Sequence, residues 1–263
     1  MKYFIFIVMI TGLTALPVGG AGAQSGAKTS SDKPPIEITA ADSIEWNQQE
    51  NFYRATGNAM ASQAEGTVKA EQLTAHYDPE ADRQIKVIVA EDNVVITFGE
   101  MKARGDHAVY SPAIGKLVLT GGDLTVETGE YTITARDEIR YLTQENKAEA
   151  IGHVTVFDGQ NHLYADMMTA LFDSEAGGLK EARAWDNVKI EADDETITGN
   201  RAIYTAADQR AVIEGDVEIR QGRTRLNGEK AFLNLKTGVS QLTTATPRDN
   251  QEKGRVKALF YTE

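Results

Sequence analysis

Four histidines, His76, His107, His153 and His162, are the first residues to question for chemistry, in a chain that has no cysteine. No pair of them forms H-x-H or HExxH, and without thiolates a zinc centre has too few ligands. No metal is expected. Asp193-Asp194-Glu195 offers the hard oxygens that Ca²⁺ takes, but three adjacent acids in a turn read as a solvated loop. Two carboxylates flanking a sugar bond would make a glycosidase. The acids here are instead spread over recurring turns and kinks, so no isolated acid/base pair stands out. Neither a G-x-S-x-G elbow nor a GxxxxGK[ST] loop occurs. These residues predict a binding or structural protein with no cofactor, not an enzyme.

The charge balance narrows the partners. The 263 residues carry 27 Lys+Arg against 39 Asp+Glu, a formal net charge of −12. That excess of acid argues against nucleic acid, which requires a basic face. A hydrophobic fraction of 41% is enough for a packed core. At the N-terminus Lys2 precedes the uncharged run Tyr3–Leu16, then Pro17, Gly19 and Gly20, then Ala21-Gly22-Ala23. This predicts a signal peptide over residues 1–23, because the apolar run is short of the ~20 residues of a spanning helix. Residues 24–34 read as a flexible polar leader.

The elements that would position any site recur along 35–244. One unit is a small residue, usually an acid, then alternating apolar positions. It reads Ala41-Asp42-x-Ile44-x-Trp46, Ala70-Glu71-x-Leu73, Gly105-Asp106-x-Ala108 and Ala165-Asp166-x-Met168. Further copies begin at Gly199-Asn200 and Gly228-Glu229. A second unit lies between them: Asp92-Asn93-Val94-x-Ile96, Gly122-Asp123-Leu124, Gly152-His153-Val154-x-Val156, Asp186-Asn187-Val188-x-Ile190 and Gly215-Asp216-Val217-x-Ile219. Both units have the period of two that marks a half-buried strand. The spacing predicts repeats of about 30 residues, each of two long strands, and a chain of antiparallel hairpins. The apolar phase slips at the small/acidic step, as from Ala70 to Leu73, which predicts a β-bulge there. Tyr77, Tyr110, Tyr141, Phe172 and Tyr204 recur at nearly even spacing. Packing at the strand ends explains that row more simply than sugar stacking does. Beyond residue 244 the chain turns polar over 245–263, where Val256-x-Ala258-x-Phe260 predicts a short final strand.

Taken in order, Pro35-Ile36-Glu37-Ile38, Ala41-Asp42-Ser43-Ile44, Gly215-Asp216-Val217, Leu226-x-Gly228-Glu229-x-Ala231 and Leu235-x-Thr237-Gly238-x-Ser240-x-Leu242 resemble the LptA/OstA family of periplasmic lipopolysaccharide-transport proteins. The resemblance covers about 35–260. It implies an all-β fold, an antiparallel β-jellyroll shaped like an open V, whose apolar interior holds the acyl chains of lipid A. It implies a periplasmic location, head-to-tail self-association, and LptC-like inner-membrane and LptD-like outer-membrane partners. Ile36 and Ile38 match the family's first strand, near the groove entry.

Alternation adds the inward pairs Val94 and Ile96, Val154 and Val156, Val188 and Ile190, and Val217 and Ile219. With Ile36 and Ile38 these are the groove-lining candidates. The sequence leaves open which of them line a groove and which fill core. Two other readings stand beside the carrier: an LptC-like adaptor or scaffold of the same fold, and a secreted β-solenoid acting on polysaccharide.

Overall fold

The structure, a computed structural model, describes residues 36–64, 66–129, 131–174, 178–244 and 255–259. The expected signal peptide and leader lie outside the described residues, as does the tail apart from 255–259. Eighteen strands occur among the described residues: β1 (Glu37–Thr39), β2 (Ser43–Asn47), β3 (Phe52–Gln63), β4 (Gly66–Asp78), β5 (Gln84–Phe98), β6 (Met101–Ser111), β7 (Lys116–Thr120), β8 (Leu124–Glu127), β9 (Thr132–Ala135), β10 (Glu138–Leu142), β11 (Lys147–Phe157), β12 (His162–Phe172), β13 (Leu179–Ala192), β14 (Glu195–Thr205), β15 (Arg210–Gln221), β16 (Thr224–Asn234), β17 (Val239–Thr243) and β18 (Lys257–Leu259). No helix occurs among the described residues.

One sheet contains all of them, and every pairing is antiparallel. It is a ladder of long rungs, four of them broken in two. β1 and β2 share β3, β7 and β8 share β6, β9 and β10 share β11, and β17 and β18 share β16. The short strand expected in the tail is β18, which pairs with β16 through Leu226 and Ala258.

Each rung bends at the same height, and the bend is a bulge. Thr56 faces Gln72 and Ala59 faces Ala70, so Gly57-Asn58 oppose Glu71 alone. The same count recurs at Asp92-Asn93, Gly152-His153, Asp186-Asn187 and Gly215-Asp216. This corrects the expected position. The extra residue sits in the second unit, on the partner of the strand carrying the small/acidic step. The reason is backbone conformation: both residues of each such step have positive φ, 86° and 45° at Gly152-His153. Gly, Asn and Asp tolerate that region best. The acid of the first unit lies over the neighbouring bulge. A side chain at Gly152 would collide with Asp137, and one at Gly57 with Asp42. Asn187 also donates from Nδ2 to Asp166 at 2.7 Å.

The small residue of the first unit is explained as well. Val94 faces Gly105, Leu124 faces Ala135, Val154 faces Ala165, Val188 faces Gly199 and Val217 faces Gly228 across the crease. The space the glycines leave is filled from the following strand: a side chain at Gly105 would collide with Leu119 and Leu124, one at Gly199 with Ile213 and one at Gly228 with Leu242, and the large residues facing the small ones are at most 2% exposed.

The two halves of each bent rung form two arms of an open V, an antiparallel β-jellyroll. On the first arm an inward row runs through Ala55, Leu73, Ala90, Ala108, Leu119 and Ile139. It continues through Ala150, Met168, Ala184, Ala202, Ile213 and Ala231. The second arm has its own row: Ile38, Ala61, Val68, Ile96, Ala103 and Val126, then Ile133, Val156, Leu163, Ile190, Ile197, Ile219 and Leu226. Every member of either row is aliphatic or Met. Buried residues from both arms pack into one cluster as far as Val188. With strands ~4.8 Å apart, either row extends for roughly 60 Å.

Candidate functional site

The space between the arms is not filled evenly. A cleft of about 720 Å³ lies between them, and all of its lining residues fall at Val126 or later. The buried core separates into clusters around it. One ends at Val188, a second holds Ile197, Ile213, Val217, Ile219 and Ala231, and a third holds Phe172, Leu179 and Tyr204. Members of all three line the cleft.

Its floor on the first arm is alanine. Ala148 faces Ala170, Ala170 faces Ala182, and Ala182 faces Tyr204, which faces Ala211. The same row in the earlier strands carries Ile88, Tyr110, Leu117 and Tyr141. The roof on the second arm is branched aliphatic: Ile133, Val156, Leu163, Ile190 and Ile197. The recurrent aromatics sit at the strand ends, as expected. Phe172 and Tyr204 are buried together with Tyr141 and Leu235 packed against them, and burial pushes the Tyr204 and Tyr141 hydroxyls above their ordinary pKa.

Polar groups mark the rim of the second arm. Gln160, Asn161, Asp193, Asp194, Glu195 and Gln221 come from three successive turns. Gln160 donates to Asp193 at 2.6 Å, tying two of those turns together. Burial opposes charge on Asp158, but hydrogen bonds from the Asn161 side chain and from the Asn161 and Gln160 backbones outweigh it, and hold its carboxyl below the usual range. Glu195 moves the other way. Burial, helped by the neighbouring Asp194 charge, raises its pKa. Glu149 is the one buried carboxylate among the described residues and also lines the cleft. Lys147 Nζ at 2.6 Å and Arg140 Nη1 at 3.2 Å supply the counter-charges a buried acid needs.

The candidate residues divide among these regions. Val154, Val156 and Ile190 line the cleft. Val94 and Ile96 lie in the filled first half, 1% and 8% exposed. Val188, Val217 and Ile219 are buried but are not among the lining residues. Ile38 pairs with Ala61 at the sheet edge, and both Ile36 and Ile38 are exposed there. Sequence reasoning missed the alanines of the floor. Their signal was a run of inward alanines in β11, β12 and β13, legible only once strand register is known. Among the described residues no group of His, Asp and Glu is arranged to hold a metal ion.

No curated protein matches the chain. Among solved structures, one match is LptH of Pseudomonas aeruginosa, described as the LptA homologous periplasmic component of the conserved lipopolysaccharide transport device. It shares 11% identity over 87% of this chain and 96% of that chain, with a TM-score of 0.24. The LptA/(LptD N-terminal domain) LPS transport protein family matches three overlapping segments, 37–147, 132–239 and 196–258, which together span nearly all the described residues. The chain belongs to that family of lipopolysaccharide-transport proteins.

Proposed function

We propose that this chain is a periplasmic carrier that holds the acyl chains of lipopolysaccharide between its arms and passes the lipid between inner and outer membranes. The observation that carries the reading is the pair of unbroken aliphatic rows with an open cleft between them. A dodecyl chain costs roughly 10 kcal/mol to expose to water, so a lipid crossing an aqueous space needs such a lining. The rim is polar, which suits sugars and phosphates left outside.

Both sheet edges carry exposed apolar side chains. Ile44 and Trp46 are 61% and 45% exposed at one end, and Phe232 and Val239 are 41% and 63% exposed at the other. Edges of this kind pair with another strand. They support head-to-tail self-association and docking to LptC-like and LptD-like partners. The work is transport, with no catalytic step. An LptC-like adaptor would share the fold but would not need an open cleft.

The test is lipopolysaccharide binding to the purified chain with a photo-reactive residue at Val156 or, as the outward control, Thr155. An adduct at Val156 and none at Thr155 is expected. A folded protein that binds no lipopolysaccharide would reduce the chain to a scaffold.

A further inference from the structure

We infer that the two halves of the sheet have different jobs: only the second half, from Val126 to Ser240, receives hydrocarbon, and Ala148, Ala170 and Ala182 set the gauge of what enters. The inference rests on the carrier reading and deepens it.

The asymmetry can be followed along single rows. On the first arm the row that is Ile88, Tyr110, Leu117 and Tyr141 becomes Ala148, Ala170 and Ala182 in the next three strands. On the second arm the positions two residues beyond the aliphatic row change together with it. They include Phe98 and Met101 in the first half, beside the small Gly66, then Thr128 and Tyr131 where the halves meet, and Asn161, Ala192 and Glu195 in the second. Bulk is lost from both arms at the same rungs, and that is where the cleft opens.

The occupant follows from the walls. The floor lies in the middle of a sheet, where backbone N–H and C=O groups are spent on the ladders to both neighbours. A peptide strand entering there would find no partners for its own backbone and would lose its hydration. An unbranched acyl chain has no polar group to satisfy. At about 30 Å³ for a water-sized group, a cleft of about 720 Å³ holds roughly two dozen methylenes. That is room for about two dodecyl chains, so a lipid with more chains must leave the rest over the rim or in a neighbouring copy.

The test is binding of lipopolysaccharide, and of a single-chain dodecyl phospholipid, to the purified chain and to the variant Ala170→Leu/Ala182→Leu. Ala75→Leu, in the same row of the filled half, is the control. The double variant should weaken dodecyl binding at least tenfold while its melting temperature stays near that of the parent, and Ala75→Leu should bind as the parent does. Equal binding by the folded double variant overturns the inference and leaves the carrier reading standing. No acyl binding by the parent chain overturns the carrier reading itself. Should the double variant not fold, a photo-reactive dodecyl lipid on the parent chain decides the question. Label confined to residues 126–240 supports the inference, and label on β3 to β6 refutes it.

Discussion

Gly152→Ala tests the logic of the crease most directly. Gly152 has φ of +86°, and a Cβ there would lie 2.1 Å from Asp137 Oδ2 and 2.4 Å from its Cγ. Two separate costs follow. Holding an L-residue in left-handed backbone costs about 1–2 kcal/mol. Displacing Asp137 adds about 1 kcal/mol of rotamer strain, because the local backbone cannot shift away. It is pinned by Arg136 N–H donating to the Gly152 carbonyl at 2.6 Å and by Asp137 N–H donating to Ile151 at 3.1 Å. The single variant should therefore lose about 2–3 kcal/mol. Asp137→Ala alone should change little, since its partner Arg136 is an exposed neighbour and solvent screens such a pair. In the double variant the collision is gone but the backbone cost remains. Its loss should fall short of the summed single losses by about 1 kcal/mol. Urea unfolding followed by the fluorescence of Trp46 and Trp185 gives all three values. A double variant as unstable as that sum, or more so, would refute the idea that the acid and the glycine were fitted to each other.

Other perturbations probe different parts of the molecule. Ile213 is fully buried and faces Ala202 and Ala231, so Ile213→Ala should cost about 2–5 kcal/mol, whereas Ile44→Ala at the exposed edge should stay within ~0.5 kcal/mol. Shifts in the urea midpoint at constant slope distinguish the two, and a comparable loss at both would mean the arms are not packed as described. Glu195 has a raised folded pKa, so its favourable contribution is present below the ordinary value of 4.5 and is lost as pH rises through the folded value. Glu195→Gln should thus gain melting temperature on the parent between pH 4 and pH 7, and a constant difference across that range would rule out a desolvated carboxyl at the rim. Under the carrier reading, Ile44→Asp or Val239→Asp should abolish concentration-dependent growth in sedimentation velocity, each acting on the opposite edge of the same contact. Unchanged assembly in both variants would place the contact elsewhere.

The strands were legible because period two survives every local irregularity, and Val, Ile, Thr and Tyr favour the pleated surface. The bend was legible too, but on the wrong strand. The slip from Ala70 to Leu73 shows that a pair of strands loses register, and apolar spacing alone does not say which strand holds the extra residue. The better signal was the two-residue step immediately before Val94, Val154, Val188 and Val217, drawn from Gly, Asn and Asp except for His153, since these residues tolerate left-handed backbone. The cleft was legible only in part: alternation picked out Val154, Val156 and Ile190, which line it, but the floor was missed, for a different reason. Scanning for bulk also selects Val94, Val188 and Val217, which are buried in the crease and fill core rather than line the cleft. The opening comes from side chains that stop at Cβ on β11, β12 and β13. Only the register, fixed by hairpins far apart in sequence, aligns Ala148, Ala170 and Ala182.

An open cleft of this size bears on how the remainder of the sheet is built. As a sealed void it would cost on the order of 17 kcal/mol at ~24 cal/mol per Å³ of cavity, more than a domain's whole stability. Opening to solvent at a polar rim avoids most of that cost, but leaves the second half short of buried contacts. The filled half compensates. Leu119, Leu124 and Val94 are at most 2% exposed, and each contributes about 1.5–3 kcal/mol of burial. Because the ladder is one continuous sheet through β6 to β11, the packed strands hold the bend angle of the strands beyond them. A hydrocarbon guest would then meet a cleft already formed, and its binding would not have to separate the arms. The alanines that weaken the core and the bulky rungs that reinforce it are thus two parts of one device, which keeps an apolar surface open in water without collapsing.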